Sequence, residues 1–387
     1  MNPLNKSEIE YLREVRRHLH RHPEISGEEA STASYIVSEL KKTQPVKVYQ
    51  NIGGQGVAAV YGDLNGSPKV MLRSELDALP ITEKSGQKYS SVNEGVSHAC
   101  GHDGHMTVMI GVARFLRDYR PEKGCVILLF QPSEETGKGA GRILNDPVFR
   151  KLEPERSYAF HNLPGLSKGK LYTRTGTFAS ASVGLRCELT GVSSHAAYPE
   201  QGINPAGAVS DLIGFVETLG VRELEDEDYS IATPTYIQLG EKAFGISPGR
   251  AEVGITLRAA RDEKIEEMKK DISKKCRQLS DLHQLKVNIS VNEPFSATIN
   301  SEKCIEMVKR AAKNSGIEVV ELPHAFPWSE DFGHFASVSE IALFGIGAGE
   351  GHPHLHSEEY DFEDDILPAA IQLFVNTIKE EWKTKLT

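Results

Sequence analysis

Val126-Ile127-Leu128-Leu129-Phe130-Gln131-Pro132-Ser133-Glu134-Glu135 opens on five apolar residues and empties at once into polar and acidic ones. An unbroken apolar run of this length reads as a strand buried on both faces, the habit of strands in parallel sheets. The pattern recurs. Val70-Met71-Leu72 discharges into Ser74-Glu75-Leu76-Asp77, and Tyr158-Ala159-Phe160 leads to His161-Asn162. Ile341-Ala342-Leu343-Phe344 runs through a glycine-rich turn to His352, His354 and His356. Four apolar strands thus carry acids or histidines at their C-terminal ends, the edge of an open α/β sheet where ligands bind. The expected fold class is α/β, a mixed-sheet domain with its chemistry gathered along one edge.

Around that edge the chain offers metal-ligand chemistry. His98-Ala99-Cys100-Gly101-His102-Asp103-Gly104-His105 precedes a stretch, Met106 to Arg120, in which Val108, Val112, Phe115, Leu116 and Tyr119 recur at helical spacing. The pattern predicts a loop running into an amphipathic helix, with Asp103 as N-cap. Cys100 and His102, on either side of a glycine, can converge on one ion with sulfur and nitrogen donors, and further ligands must come from elsewhere. Adjacent Glu134 and Glu135 in an extended segment point opposite ways, so one can hold a metal while its neighbour faces water. The following glycines, 137, 139 and 141, lack the order of a P-loop and read as a turn and helix start. His18, His20 and His22 lie among arginines that repel a cation and read as structural or solvated. Ser7-Glu8-Ile9-Glu10 predicts a capping box for a first helix whose buried face is Leu12, Val15 and Leu19.

Composition narrows the partners. With 387 residues, 39% hydrophobic and 25% charged, the chain is expected to be soluble and to form more than one domain. Its 44 basic and 54 acidic residues give −10, which argues against nucleic acid or an anionic membrane as partner and leaves a small-molecule substrate open. The opening MNPLNKSEIEYLREV has no apolar signal-peptide core, and five scattered cysteines read as reduced thiols, so the expected location is the cytoplasm. From 179 to 294 the texture changes. Alternating Val183, Leu185, Cys187 and Leu189, a helix from Pro205 to Leu219, strands near Thr235 to Leu239 and Ala251 to Leu257 follow one another. A helix bearing Ile265, Met268, Ile272, Cys276 and Leu279, and a strand from Leu285 to Val291, complete a β-α-β-β-α-β order, that of an inserted ferredoxin-like α+β domain. The expected layout is a catalytic domain of residues 1–178 and 295–387 around a lid or dimerisation domain of 179–294. The acidic run 223–228 reads as an exposed loop.

Taken together, RRHLHRHPEISGEE (16–29), LDALP (76–80), HACGHDGHM (98–106), QPSEETGKGA (131–140), SSHAAYPEQGINP (193–205), SEDF (329–332) and LHSEEYDF (355–362) resemble the M20 metallopeptidase family. The likeness is to its amidohydrolase branch of aminoacylases, hippurate hydrolases and auxin-conjugate hydrolases, and it covers nearly the whole chain. It implies a dinuclear-metal catalytic domain in which Cys100, His102, Glu135, His161 and His356 bind two divalent ions, zinc or manganese, with cobalt or nickel as further choices. It also implies Glu134 as general base, Asp77 in support of the site, and His195 reaching a partner subunit's active site in a homodimer. Where members commonly have Ala-Asp-Met-Asp the chain has Ser74-Glu75-Leu76-Asp77, and Glu358-Glu359 replaces Pro-Arg. Gly245-Ile246-Ser247-Pro248 likewise replaces Asn-Val-Ile-Pro; these departures bear on substrate more than on chemistry. His354 competes with His356 as ligand, the latter being preferred for its place before Ser357 and Tyr360-Asp361-Phe362.

The expected activity is hydrolysis of the amide bond of an N-acyl amino acid, with Asn204 and Arg258 as candidates for holding a substrate carboxylate or polar group. The rival readings are a dipeptidase or exopeptidase of the same family and a metal-storing protein without turnover. Glu134 speaks against the second, because storage needs ligands but no base.

Overall fold

The computed structural model describes residues 5–226 and 228–383, so Met1 to Leu4, Glu227 in the acidic run and the last four residues lie outside the description. The chain divides into two compact units: one of residues 1–178, 298–323 and 331–387, the other of Ala179–Ala297 with His324–Glu330.

In the first unit we label, in chain order, α1 (Lys6–Arg21), α2 (Ala30–Lys41), β1 (Lys47–Ile52), β2 (Gly56–Gly62), β3 (Lys69–Glu75), α3 (His102–Asp118), β4 (Cys125–Gln131), α4 (Gly139–Asn145), β5 (Arg156–Pro164), β6 (Leu171–Thr173), α5 (Glu302–Ser315), β7 (Val319–Glu321), β8 (Glu340–Gly349) and α6 (Leu367–Lys383). The strands form one mixed sheet in the order β1-β2-β4-β3-β5-β8-β6-β7. Its central four, β4, β3, β5 and β8, run parallel, which puts the exits toward Glu134, Asp77, His161 and the 352–356 turn on a single edge. Every residue of β4 is buried, as its unbroken apolar run requires. His161 lies inside β5 rather than after it, since the strand continues to Pro164.

Three local expectations are corrected. The capping box of α1 is built by Asn5 and Glu8, each side chain taking the other's backbone N–H at 3.0 Å, so the helix starts ahead of Ser7. Helix α3 begins at His102, ahead of the expected cap at Asp103, and its N-cap is Gly101 in the left-handed region (φ 92°), while Asp103 sits buried in the first turn. The helix is also not amphipathic along most of its length: residues 102–113 are all buried, because α1 and α6 pack on it together with the sheet. Periodicity reports one buried face and cannot show that the other faces are covered as well.

The second unit is a five-stranded antiparallel sheet. Four long strands, Ala181–Thr190, Ser230–Leu239, Arg250–Ala259 and Lys286–Phe295, alternate with helices Ala206–Val216 and Asp262–His283 in the order β-α-β-β-α-β. The first and third are central and pair along their lengths. Val183, Leu185, Cys187 and Leu189 point into the core with Leu212, Met268 and Ile272 of the helices, the period of two expected of a sheet covered on one face. The boundary expected at 294 falls inside the last strand, and the unit also takes in 324–330. Arg258 Nη1 holds that segment, donating to the Pro327 carbonyl at 3.2 Å and Ser329 Oγ at 3.0 Å, a tertiary link without a sequence period. No helix among the described residues is long and apolar enough to cross a membrane.

Candidate active site

The turn at Gly101 sets the geometry of the site. A Cβ there would lie 2.5 Å from Asn162 Oδ1 and 2.6 Å from Tyr360 Oη, and the left-handed backbone costs a residue with a side chain about 1–2 kcal/mol, so glycine is required on both counts. The turn lets Cys100 and His102 face the sheet edge together. His102 Nδ1 donates to the Asp77 carbonyl at 2.8 Å, which fixes the ring so that Nε2 looks at Glu134 Oε2 (3.9 Å) and Glu135 Oε1 (3.8 Å). His161 Nδ1 donates to its neighbour Asn162's carbonyl at 2.8 Å, and its Nε2 lies 3.5 Å from Cys100 Sγ. His356 Nε2 stands 3.7 Å from Glu135 Oε2.

Ligand-type atoms of Cys100, His102 and His161 lie within 4.8 Å of one another, as do those of Cys100, Glu135 and His356 and those of His102, Glu134 and Glu135. Each two of these trios have one member in common, Cys100, His102 or Glu135, so the three form one continuous patch. His354 and His356 are both exposed, but His354 belongs to none of these groups among the described residues, whereas His356 adopts a left-handed backbone (φ 62°) and donates its N–H to the Ala99 carbonyl at 2.7 Å, tying it to the Cys100 loop. Glu75, His102 and His105 make a further trio, but hydrogen bonds occupy it: His105 Nδ1 meets Glu75 Oε2 at 2.7 Å, His105 Nε2 meets Asn162 Oδ1 at 2.7 Å, and Arg73 pairs with Glu75. Asp77 is buried and accepts from Glu135 N at 3.0 Å and Ser26 Oγ at 2.6 Å through Oδ2, so it braces the neighbouring strand exit.

The charge balance suits cations. Burial alone would push His102 down, yet Glu75, Glu135 and Asp77 hold it up at about 9, so excess negative charge collects around a ring whose buried Nε2 takes no hydrogen bond. Burial, with His105 beside it, pushes His161 down to about 3 and keeps it a neutral donor. One soft sulfur, three imidazoles and two carboxylates, with two of the rings pinned by backbone carbonyls, fit a pair of divalent ions.

Beneath the site lies a network that the sequence reading did not assign. Buried Arg16 meets Asp361 Oδ1 at 2.6 Å, Asp364 Oδ1 at 2.8 Å and Asp103 Oδ2 at 3.5 Å. His20, read from sequence as structural or solvated, is the former: it bridges Asp103 Oδ2 (2.8 Å) and Glu83 Oε1 (3.1 Å), and these acids overcome the effect of burial and raise it to about 9. An unpaired buried guanidinium would cost several kcal/mol, so the cluster stands or falls as a whole. It joins α1 to the first turn of α3, to Glu83 in the loop ahead of that helix and to the segment after His356; its only sequence signal is the basic, histidine-rich texture of 16–22.

The remaining three predicted site residues belong to the second unit. His195 is exposed, and its Nδ1 accepts the Ala197 N–H at 3.0 Å, which leaves the proton on Nε2. Asn204 is engaged locally, Oδ1 accepting from Ala206 N at 2.9 Å and Nδ2 donating to Ser247 Oγ at 3.1 Å. Arg258 has its backbone and hydroxyl acceptors in 324–330, and burial lowers its pKa.

Comparison with known proteins places the whole chain in a family. The model of peptidase family M20/M25/M40 matches residues 71–380. The hippurate hydrolase of Campylobacter jejuni is 30% identical over 93% of this chain and 94% of its own length. The N-acetyl-L-cysteine deacetylase of Bacillus subtilis is 31% identical over 91% of this chain and 85% of its own. In fold, the crystal structure of a dinuclear metal-binding M20 peptidase from Bacillus subtilis superposes with a TM-score of 0.82 at 23% identity, covering 96% of this chain and 98% of that one.

Proposed function

Because the chain belongs to peptidase family M20/M25/M40 and is a metal-dependent amidohydrolase, we propose that it hydrolyses N-acyl amino acids at a site holding two divalent ions. The observation that carries the reading is the patch of Cys100, His102, His161, Glu134, Glu135 and His356 at one sheet edge. Cys100, His102, Glu135, His161 and His356 are the proposed ligands of zinc or manganese, with cobalt and nickel as further choices; the thiolate of Cys100 favours zinc and the carboxylate of Glu135 is the donor that manganese prefers. When bound, the ions supply positive charge that acidifies water and polarises the amide carbonyl.

Glu134 then takes the proton from the attacking water and delivers it to the leaving amine. Asp77 keeps Glu135 and His102 in place through its side chain and carbonyl. The hippurate and N-acetyl-cysteine substrates in the relatives' names are both acyl groups joined to an amino acid, which favours that class over dipeptides. The test is a release assay that sets acetyl- and benzoyl-amino acids against dipeptides. Turnover of the acylated series is expected to exceed that of dipeptides at least tenfold, and the reverse preference would make the enzyme an exopeptidase.

Asn204 and Arg258 are proposed to serve the polar end of the substrate, Arg258 keeping neutral partners that a carboxylate can outbid. The protein is further proposed to be a cytoplasmic homodimer, its five cysteines all buried thiols rather than disulfides. His195 would complete a partner's site by donating its Nε2–H to the oxyanion formed at the amide carbonyl, a role its tautomer and exposure support. His195→Ala and Glu134→Ala should each be nearly inactive alone. Randomly co-assembled, they should recover about one quarter of wild-type activity, since half the dimers are mixed and one site in each is whole. Heterodimers without activity would exclude the sharing.

A further inference from the structure

Resting on the reading of Glu134 as base, we infer that Glu29 is a positioning residue, which holds the left-handed turn at Ser133 and thereby aims Glu134 and Glu135. Ser133 directly precedes the two acids and has φ 56°, a backbone state that residues with a side chain rarely adopt unless their surroundings impose it. Glu29 imposes it. Its Oε1 accepts the Ser133 N–H at 2.8 Å and the Ser133 hydroxyl at 3.3 Å, across 104 residues of chain. The same oxygen takes the Gly27 N–H at 2.8 Å, which orients the carboxylate.

Glu29 does none of the ordinary work of its position. It is the N-cap residue of α2, yet its side chain makes no capping bond to that helix. It is fully buried, and Oε2 takes no hydrogen bond, so the cost of burying the group is offset chiefly through Oε1. The turn 26–29 reaches the second strand exit as well, through Ser26 Oγ on Asp77 Oδ2, and Asp77 in turn accepts from Glu135 N. Past Ser133 the loop is closed by Gly139 N donating to the Ser133 carbonyl at 3.1 Å and by Thr136 Oγ1 at 3.2 Å. With both sides anchored, the peptide from Ser133 to Glu134 has one orientation available, and Glu29 selects it.

The test separates aiming from mere stability. Glu29→Ala should lower kcat about a hundredfold, the scale of a misplaced catalytic group, with KM little changed. Glu29→Gln keeps an acceptor at Oε1 and should lose only a few-fold. Glu29→Asp keeps the charge but falls short by one methylene, so it should resemble the alanine variant and serves in its place should that variant fail to fold. The decisive arm is Ser133→Gly in the Glu29→Ala or Glu29→Asp background. Glycine adopts the left-handed state without penalty, so most of the lost kcat should return although no contact to Glu29 has been restored. Glu29→Ala and Glu29→Asp at wild-type kcat, or a loss that Ser133→Gly leaves untouched, would overturn the proposal. Glu134→Gln measured alongside keeps the two readings apart, because its loss of turnover tests the base and is indifferent to Glu29.

Discussion

Glu134→Gln is expected to keep its metal and lose turnover by roughly a hundredfold or more, the scale of a general base removed. The two adjacent acids differ in what surrounds them. Glu135 has Oε1 3.8 Å from His102 Nε2 and Oε2 3.7 Å from His356 Nε2, placing it between two histidines that are themselves ligand candidates. Glu134 reaches only His102 of these, at 3.9 Å, and is almost wholly buried. Removing the charge of Glu134 while keeping its shape should therefore leave the ligand set intact and take away only the proton acceptor. Glu135→Ala should do the opposite and lose bound metal first. Metal content and single-turnover rates on the two variants check the assignment. A Glu134→Gln enzyme with near-normal turnover, or metal lost from it and retained by Glu135→Ala, would exchange or abolish the roles.

Chelation is expected to abolish activity and added divalent ion to restore it. The reason lies in the charge around His102. With no cation present, Glu75, Glu135 and Asp77 raise that ring to about 9, so at neutral pH the proton stands where positive charge is wanted. Rebinding of metal must displace it, because a coordinating imidazole is neutral. Titration calorimetry at pH 7 in buffers of different ionisation heat should accordingly report release of about one proton as the ion enters, besides any from Cys100. Loss of that release in His102→Ala would assign it. Full activity in chelated protein that retains no divalent ion would sink the metal reading altogether.

The sequence by itself determined the four central strands of the sheet and most of the candidate site. Buried parallel strands need continuous apolar runs, and such a run must end abruptly where the chain leaves the core, so the acids and histidines after Phe130, Leu72 and Phe160 announce the sheet edge without a structure. Cys100 and His102 were legible for a local reason, the glycine between them. What tertiary structure alone decided comes from contacts between residues distant in sequence. As a pattern His356 differs from His354 only in preceding Ser357 and Tyr360-Asp361-Phe362; the hydrogen bond from His356 N to the Ala99 carbonyl, which ties it to the Cys100 loop, is a tertiary contact. Asp103 looks like a cap until Arg16 and His20 are found against it, 87 and 83 residues away in the chain. Glu29 falls at the N-cap of α2, where an acid is unremarked, and nothing local shows that its carboxylate turns away to hold Ser133. Periodicity and strand ends record how each segment meets the core. Which side chain of one segment steadies the backbone of another depends on how the segments pack, and that is settled only when the chain has folded.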